Sequence, residues 1–156
     1  MQQTYNGCMQ RLRILVADDD RDAVDSLLAL LRQEGHDVRG VYGGLAVLDT
    51  VRDFAPDVVL LDIGMPHFNG YVVARTLRER YASARPVLIA LTGRGQPQDR
   101  TFTQLAGFDH HLVKPYDARA LLAMLANYAA NAAGKRSPVD AGTPYPAGPH
   151  GRQASR

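Results

Sequence analysis

Apolar residues fall along this chain in two alternating rhythms. Short runs rich in β-branched residues, Leu12–Ala17, Val38–Tyr42, Val58–Leu61, Val87–Leu91 and His111–Val113, predict five strands. Between them the apolar positions recur at helical spacing. Val24, Leu27, Leu28 and Leu31 form a stripe at i, i+3, i+4, i+7. Asp20 stands where the N-cap of that helix belongs, and Gly35 where its closing glycine belongs. Leu45, Leu48 and Val51 predict the face of a second helix, and Val72, Val73, Thr76 and Leu77 that of a third. Phe102 and Leu105 predict a short fourth helix between Pro97 and Gly107. Leu121, Leu122, Leu125 and Tyr128 predict a fifth, opened by Asp117.

Five strands alternating with five helices imply a parallel sheet covered on both faces. The third and fourth strands are apolar throughout, as strands buried on both sides must be. At this length the simplest arrangement is an α/β, flavodoxin-like, doubly wound five-stranded sheet with strand order 2-1-3-4-5. Such sheets bind their ligands beyond the carboxyl ends of the strands, so the residues just after each strand carry the candidate chemistry.

The chain has 156 residues, 46% of them hydrophobic and 22% charged. That fits one globular domain plus a tail. No apolar run reaches the roughly 20 residues that cross a bilayer, and the first residues have no signal-peptide core. A single cysteine, Cys8, excludes an internal disulfide. Residues 131–156 carry four of the 18 basic residues and one of the 16 acidic ones, a balance of +3, which leaves −1 for residues 1–130. The body therefore gives no electrostatic case for nucleic-acid binding. Residues 131–156 also hold four prolines, four glycines and no Leu, Ile or Phe. The expected organisation is a flexible leader over 1–10, with Met9 a candidate second start, a folded domain over 11–130 and a disordered basic tail over 131–156. A cytoplasmic location is expected. His36, His67 and His150 have no ligand partners at useful spacing and are expected at the surface.

The strand ends are unusual. The first strand runs into Asp18, Asp19 and Asp20, the third into Asp62, the fourth into Thr92 and Gly93, the fifth into Lys114–Pro115. One Asp suffices to cap a helix, so two of the first three acids need another explanation. In a parallel sheet these ends lie side by side. Clustered carboxylates repel one another, and a hard divalent cation such as Mg²⁺ relieves this. Lys114 supplies a point charge suited to a phosphate and Thr92 a hydroxyl donor. Metal, lysine and hydroxyl around one carboxylate suit phosphoryl transfer to Asp.

The segments ILVADDD, VVLLDIGMPHFNG, VLIALTG and HLVKP resemble the receiver domain of two-component response regulators over residues 12–130, with wording closest to receivers attached to hybrid sensor kinases. The resemblance implies that Asp62 is the phosphoacceptor and that Mg²⁺ is held by Asp19, Asp62 and the backbone carbonyl of Gly64, with Asp18 acting through water. It implies that Thr92 and Lys114 contact the phosphoryl group, and that the Lys114–Pro115 bond is cis. His111 occupies the aromatic switch position, usually Tyr or Phe. By the same resemblance, Gly64 and Arg94 match positions that tune phosphoryl lifetime in the family. The implied partners are a histidine kinase or histidine phosphotransfer protein and a downstream protein reading the α4–β5–α5 face, the surface of the fourth helix, fifth strand and fifth helix, with neither nucleic acid nor membrane. The implied protein is a phosphoacceptor rather than an enzyme, with only self-catalysed transfer and slow autodephosphorylation. Two rivals remain: a haloacid-dehalogenase-type metal-dependent phosphohydrolase, which needs a second acid where Gly64 stands, and a degenerate receiver that only docks.

Overall fold

The computed structural model describes residues 11–65, 69–81, 86–93 and 104–133. In chain order the elements are β1 (Arg13–Ala17), α1 (Arg21–Gln33), β2 (Asp37–Val41), α2 (Leu45–Phe54), β3 (Val58–Asp62), α3 (Gly70–Arg80) and β4 (Val87–Thr92). A helical segment with residues 104–106 described, α4, then precedes β5 (His110–Val113) and α5 (Ala118–Ala133). All the strands are parallel, in the order β2-β1-β3-β4-β5. The expected architecture is therefore the observed one.

The period of two along each strand divides the core. Ile14 and Val16 of β1, Val58 and Leu60 of β3, and Ile89 and Leu91 of β4 face α1 and α5, where they meet Val24, Leu28, Leu121 and Leu125. The intervening residues Leu15, Ala17, Val59, Leu61, Leu88 and Ala90 face α2 and α3, where they meet Val47, Val51, Val73 and Leu77. Gly40 of β2 lets α1 approach closely. A Cβ there would lie 2.6 Å from Val24 Cγ1 and 2.8 Å from Leu28 Cδ1.

Two helix faces differ from the expected ones. In α2 the buried stripe is Val47, Val51 and Phe54, with Leu45 80% exposed and Leu48 only half-buried. In α3 the buried set is Gly70, Val73, Ala74 and Leu77, and Val72 is 57% exposed. Both segments contain more apolar residues than one stripe needs, and contact with the sheet chooses among them. Leu105 is exposed as well. The helix α5 runs to Ala133, three residues into the segment assigned to the tail, through an Ala-rich stretch of high helix propensity. The leader, the rest of the tail, His67, Arg94, Pro97, Phe102 and His150 lie outside the described residues.

His36 corrects the expectation that it is a surface residue. It is buried, and its Nδ1 accepts a hydrogen bond from the Leu12 amide at 3.2 Å. The residue before β1 thus has its amide satisfied by the residue before β2. Asp57 does the same for Arg13, whose amide donates to its Oδ2 at 2.9 Å. Asp109 accepts from the Leu88 amide at 2.8 Å and from Arg78 Nη2 at 2.6 Å. Arg78 also donates to the carbonyls of Gly107 and Pro86, at 2.9 and 2.8 Å. The amino ends of the strands are stitched by side chains, and the carboxyl ends are left for chemistry.

Candidate functional site

The end of β1 delivers Asp18 into the rim. Its amide continues the ladder to Val41 O at 3.2 Å, and its Oδ1 accepts from the Asp20 amide at 3.1 Å. Asp18 is buried, whereas Asp19 and Asp20 are exposed. Asp20 caps α1, its carboxylate accepting from the amides of Asp22 and Ala23. One of the three acids therefore has the structural role expected of it, and the other two are free for the site.

Asp62 is the last residue of β3 and is buried. Its Oδ1 accepts from the Gly64 amide at 2.9 Å, and Ile63 N still donates to Leu91 O at 3.0 Å. The turn beyond it is tight because Gly70 lets α3 begin against its backbone. A Cβ on Gly70 would stand 2.9 Å from Ile63 Cα and 3.1 Å from Asp62 O. Asn69 caps α3 by accepting from the Tyr71 amide. Neither role was read from the sequence, although the Asn-Gly pair ahead of the third apolar stripe was the available signal.

Thr92 closes β4 and is also buried. Its carbonyl accepts from the Lys114 amide at 2.7 Å, which places the lysine backbone at the same rim. The Lys114–Pro115 peptide is cis. The Lys114 ammonium donates to Asp18 Oδ2 at 2.7 Å and to Asp62 Oδ2 at 3.3 Å. Beside it opens a cleft of about 450 Å³ whose floor includes Val16, Val24, Leu27 and Leu91. The Thr92 hydroxyl lies 3.0 Å from Nε2 of His111, which is half-buried on β5.

The electrostatics follow from this packing. Burial pushes the Asp62 carboxyl above its ordinary range, and the hydrogen bond with Asp18 adds to it against the opposing Gly64 amide. Burial acts on Asp18 in the same sense. There the hydrogen bonds from Lys114, Asp62 and the Asp20 amide prevail and hold the carboxyl below its ordinary value. Lys114 is raised, since attraction to both acids outweighs its own desolvation. Carboxylate oxygens of Asp18, Asp19 and Asp62 lie within 4.8 Å of one another. An all-oxygen set of this kind fits a small hard cation. The rim thus gathers Asp18, Asp19, Asp62 and Lys114, with Thr92 and His111 adjoining across β4 and β5.

The chain matches the family model of the response regulator receiver domain over residues 14–126. It belongs to the response regulator receiver family. This receiver is 36% identical to the transcriptional regulatory protein CreB of Escherichia coli over 115 residues, covering 74% of the chain and 49% of CreB. It is also 36% identical to the DNA-binding response regulator MtrA of Mycobacterium tuberculosis over 113 residues, covering 72% of the chain and 48% of MtrA. The receiver spans about half the length of these curated relatives. A solved CheY-like receiver domain protein from Methanospirillum hungatei superposes with a TM-score of 0.71 at 25% identity, over 81% of this chain and 99% of that one. As a receiver, the chain is a signalling domain of two-component systems. No helix among the described residues is long and apolar enough to cross a membrane.

Proposed function

We propose that Asp62 is the phosphoacceptor of this receiver and that the donor is a phosphohistidine on a histidine kinase or histidine phosphotransfer protein. The observation that supports this most directly is the Lys114 ammonium lying between Asp18 and Asp62, two carboxylates set by the ends of neighbouring strands. In the transfer the P–N bond of the donor breaks as a P–O bond forms on Asp62; the electron pair of the broken bond stays on the donor nitrogen, which takes up a proton from solvent. Lys114 is positioned to turn from Asp62 to a phosphoryl oxygen, and the Thr92 hydroxyl to donate to another. Mg²⁺ held by Asp19, Asp62 and the Gly64 carbonyl, with Asp18 acting through water, would supply charge neutralisation for the group in transit. Gly64 stands where a haloacid-dehalogenase-type phosphohydrolase needs its second acid, so the site lacks the acid that turnover of a phosphate ester requires. The −1 balance of residues 1–130 supports a protein, rather than nucleic acid, as the direct contact of this domain. We assign the readout to the surface of α4, β5 and α5 and the location to the cytoplasm.

Intact-mass measurement after incubation with acetyl phosphate and Mg²⁺ tests the assignment. Wild type is expected to gain one adduct of about 80 Da, the mass of one phosphoryl group, and Asp62→Asn none. An adduct of equal yield in Asp62→Asn would refute it. Asp19→Asn is expected to weaken Mg²⁺ binding at least about tenfold, as loss of a carboxylate from a site with few protein oxygens should. Calorimetric titration showing wild-type affinity would remove Asp19 from the ligand set.

A further inference from the structure

Among the described residues, His111 is joined to the site through Thr92. Thr92 is buried, so its hydroxyl proton must go to an acceptor or stand unpaired at a cost. Among the described residues two acceptors are in reach: Nε2 of His111 at 3.0 Å and the carbonyl oxygen of Leu112 at 3.5 Å. The second lies at the limit of a hydrogen bond. Were Nε2 to carry a proton, the Thr92 hydroxyl would be left with the long contact alone. The better satisfaction puts the proton of the ring on Nδ1 and leaves the Nε2 lone pair to accept from Thr92. The neighbouring His110 takes no part, since its ring meets Tyr128 of α5 at 5.5 Å.

We infer that His111 is a positioning residue that latches the Thr92 hydroxyl, so that the phosphoryl group reaching Asp62 must compete with the imidazole for the same proton. This rests on the phosphoacceptor reading of Asp62. A hydroxyl has one proton to donate. While it points at Nε2 it cannot also point at an oxygen above Asp62. A charged phosphoryl oxygen is the stronger acceptor and wins the exchange. The half-buried ring, released, can find water, so the latch is weak enough to open. It retards acceptance by the strength of one neutral hydrogen bond.

A double-mutant cycle on acceptance from acetyl phosphate, followed by intact mass, tests the latch. His111→Phe removes the competing acceptor and is expected to speed adduct formation about 3- to 10-fold. His111→Gln, whose amide oxygen can stand where Nε2 does, is expected to return the rate to within about twofold of wild type. In a Thr92→Val background, His111→Phe is expected to change nothing. A purely structural role for His111 would give the same change with and without Thr92 and no rescue by Gln. A ¹⁵N spectrum reads the ring directly: Nε2 is expected unprotonated in the resting protein and altered when beryllofluoride is added. A rate for His111→Phe equal to wild type, or a protonated Nε2 at rest, would overturn the latch. A wild-type protein forming no adduct would fail the Asp62 reading instead, and the resting ¹⁵N spectrum would still decide the hydrogen bond.

Discussion

Among single residues, His36 makes the sharpest prediction about stability. Its ring accepts the Leu12 amide at Nδ1, so the neutral form is the one the fold uses. Burial lowers its pKa, against an opposing pull from Glu34. Protonation therefore favours the unfolded chain. Above about pH 6.5, the ordinary histidine value, both states are neutral and nothing is lost. As pH falls below it, the unfolded chain takes up the proton first and stability drops. Thermal melts from pH 7.5 to 5 should show wild type losing more than His36→Asn, whose side-chain oxygen can replace Nδ1. Parallel pH profiles would show that this ring does not govern acid sensitivity. The sequence displayed the acids, Thr92 and Lys114 because each directly ends an apolar run. It hid His36, because a lone histidine before a strand has no spacing partner. Asp57 and Asp109 stand in the same place, one residue ahead of β3 and β5, and that recurrence was the unused signal.

For the elements, apolar periodicity gave the number and order of strands and helices, while the faces of α2 and α3 came out differently. Leu45 and Val72 both fit a helical stripe, yet they lie in the first turn of their helices, on the side away from the sheet. Only the position of the strands decides which of two apolar stripes is covered. Gly70 shows how α3 and the site depend on each other. Gly70→Ala should cost about 1–3 kcal/mol, because the intruding Cβ meets backbone rather than a yielding side chain. It should also slow phosphorylation, since the displaced backbone is that of Asp62 and Ile63. Urea unfolding and acetyl phosphate kinetics on the same protein check both, and an unchanged rate would separate helix packing from the site. Arg78 performs a comparable service at the other end of α3, with donors to Pro86 O, Gly107 O and Asp109. Arg78→Ala should lower stability by about 1–3 kcal/mol through the acceptors left behind, with phosphorylation of the folded protein unaltered.

For the whole molecule, residues 1–130 carry a balance of −1 and the last 26 residues hold the basic surplus. Residues 135–156 contain no Leu, Ile or Phe. A chain ending at Gly134 should melt within about 2 °C of the full one, since the segment removed is poor in apolar residues. A larger fall would place part of that segment against the domain.

The stitches at the amino ends of the strands have one more consequence. His36 serves β1 from the start of β2, Asp57 serves β1 from β3, and Asp109 serves β4 from β5. Each side chain reaches one particular amide in, or just ahead of, a neighbouring strand. A strand displaced by a single residue would turn its side chains to the opposite face and unseat its stitch in the same movement. The three residues thus act as an alignment key for an all-parallel sheet that has no hairpin to set its pairing. Only the threading in which the key fits brings Asp18, Asp62 and Lys114 to a common height at the opposite edge.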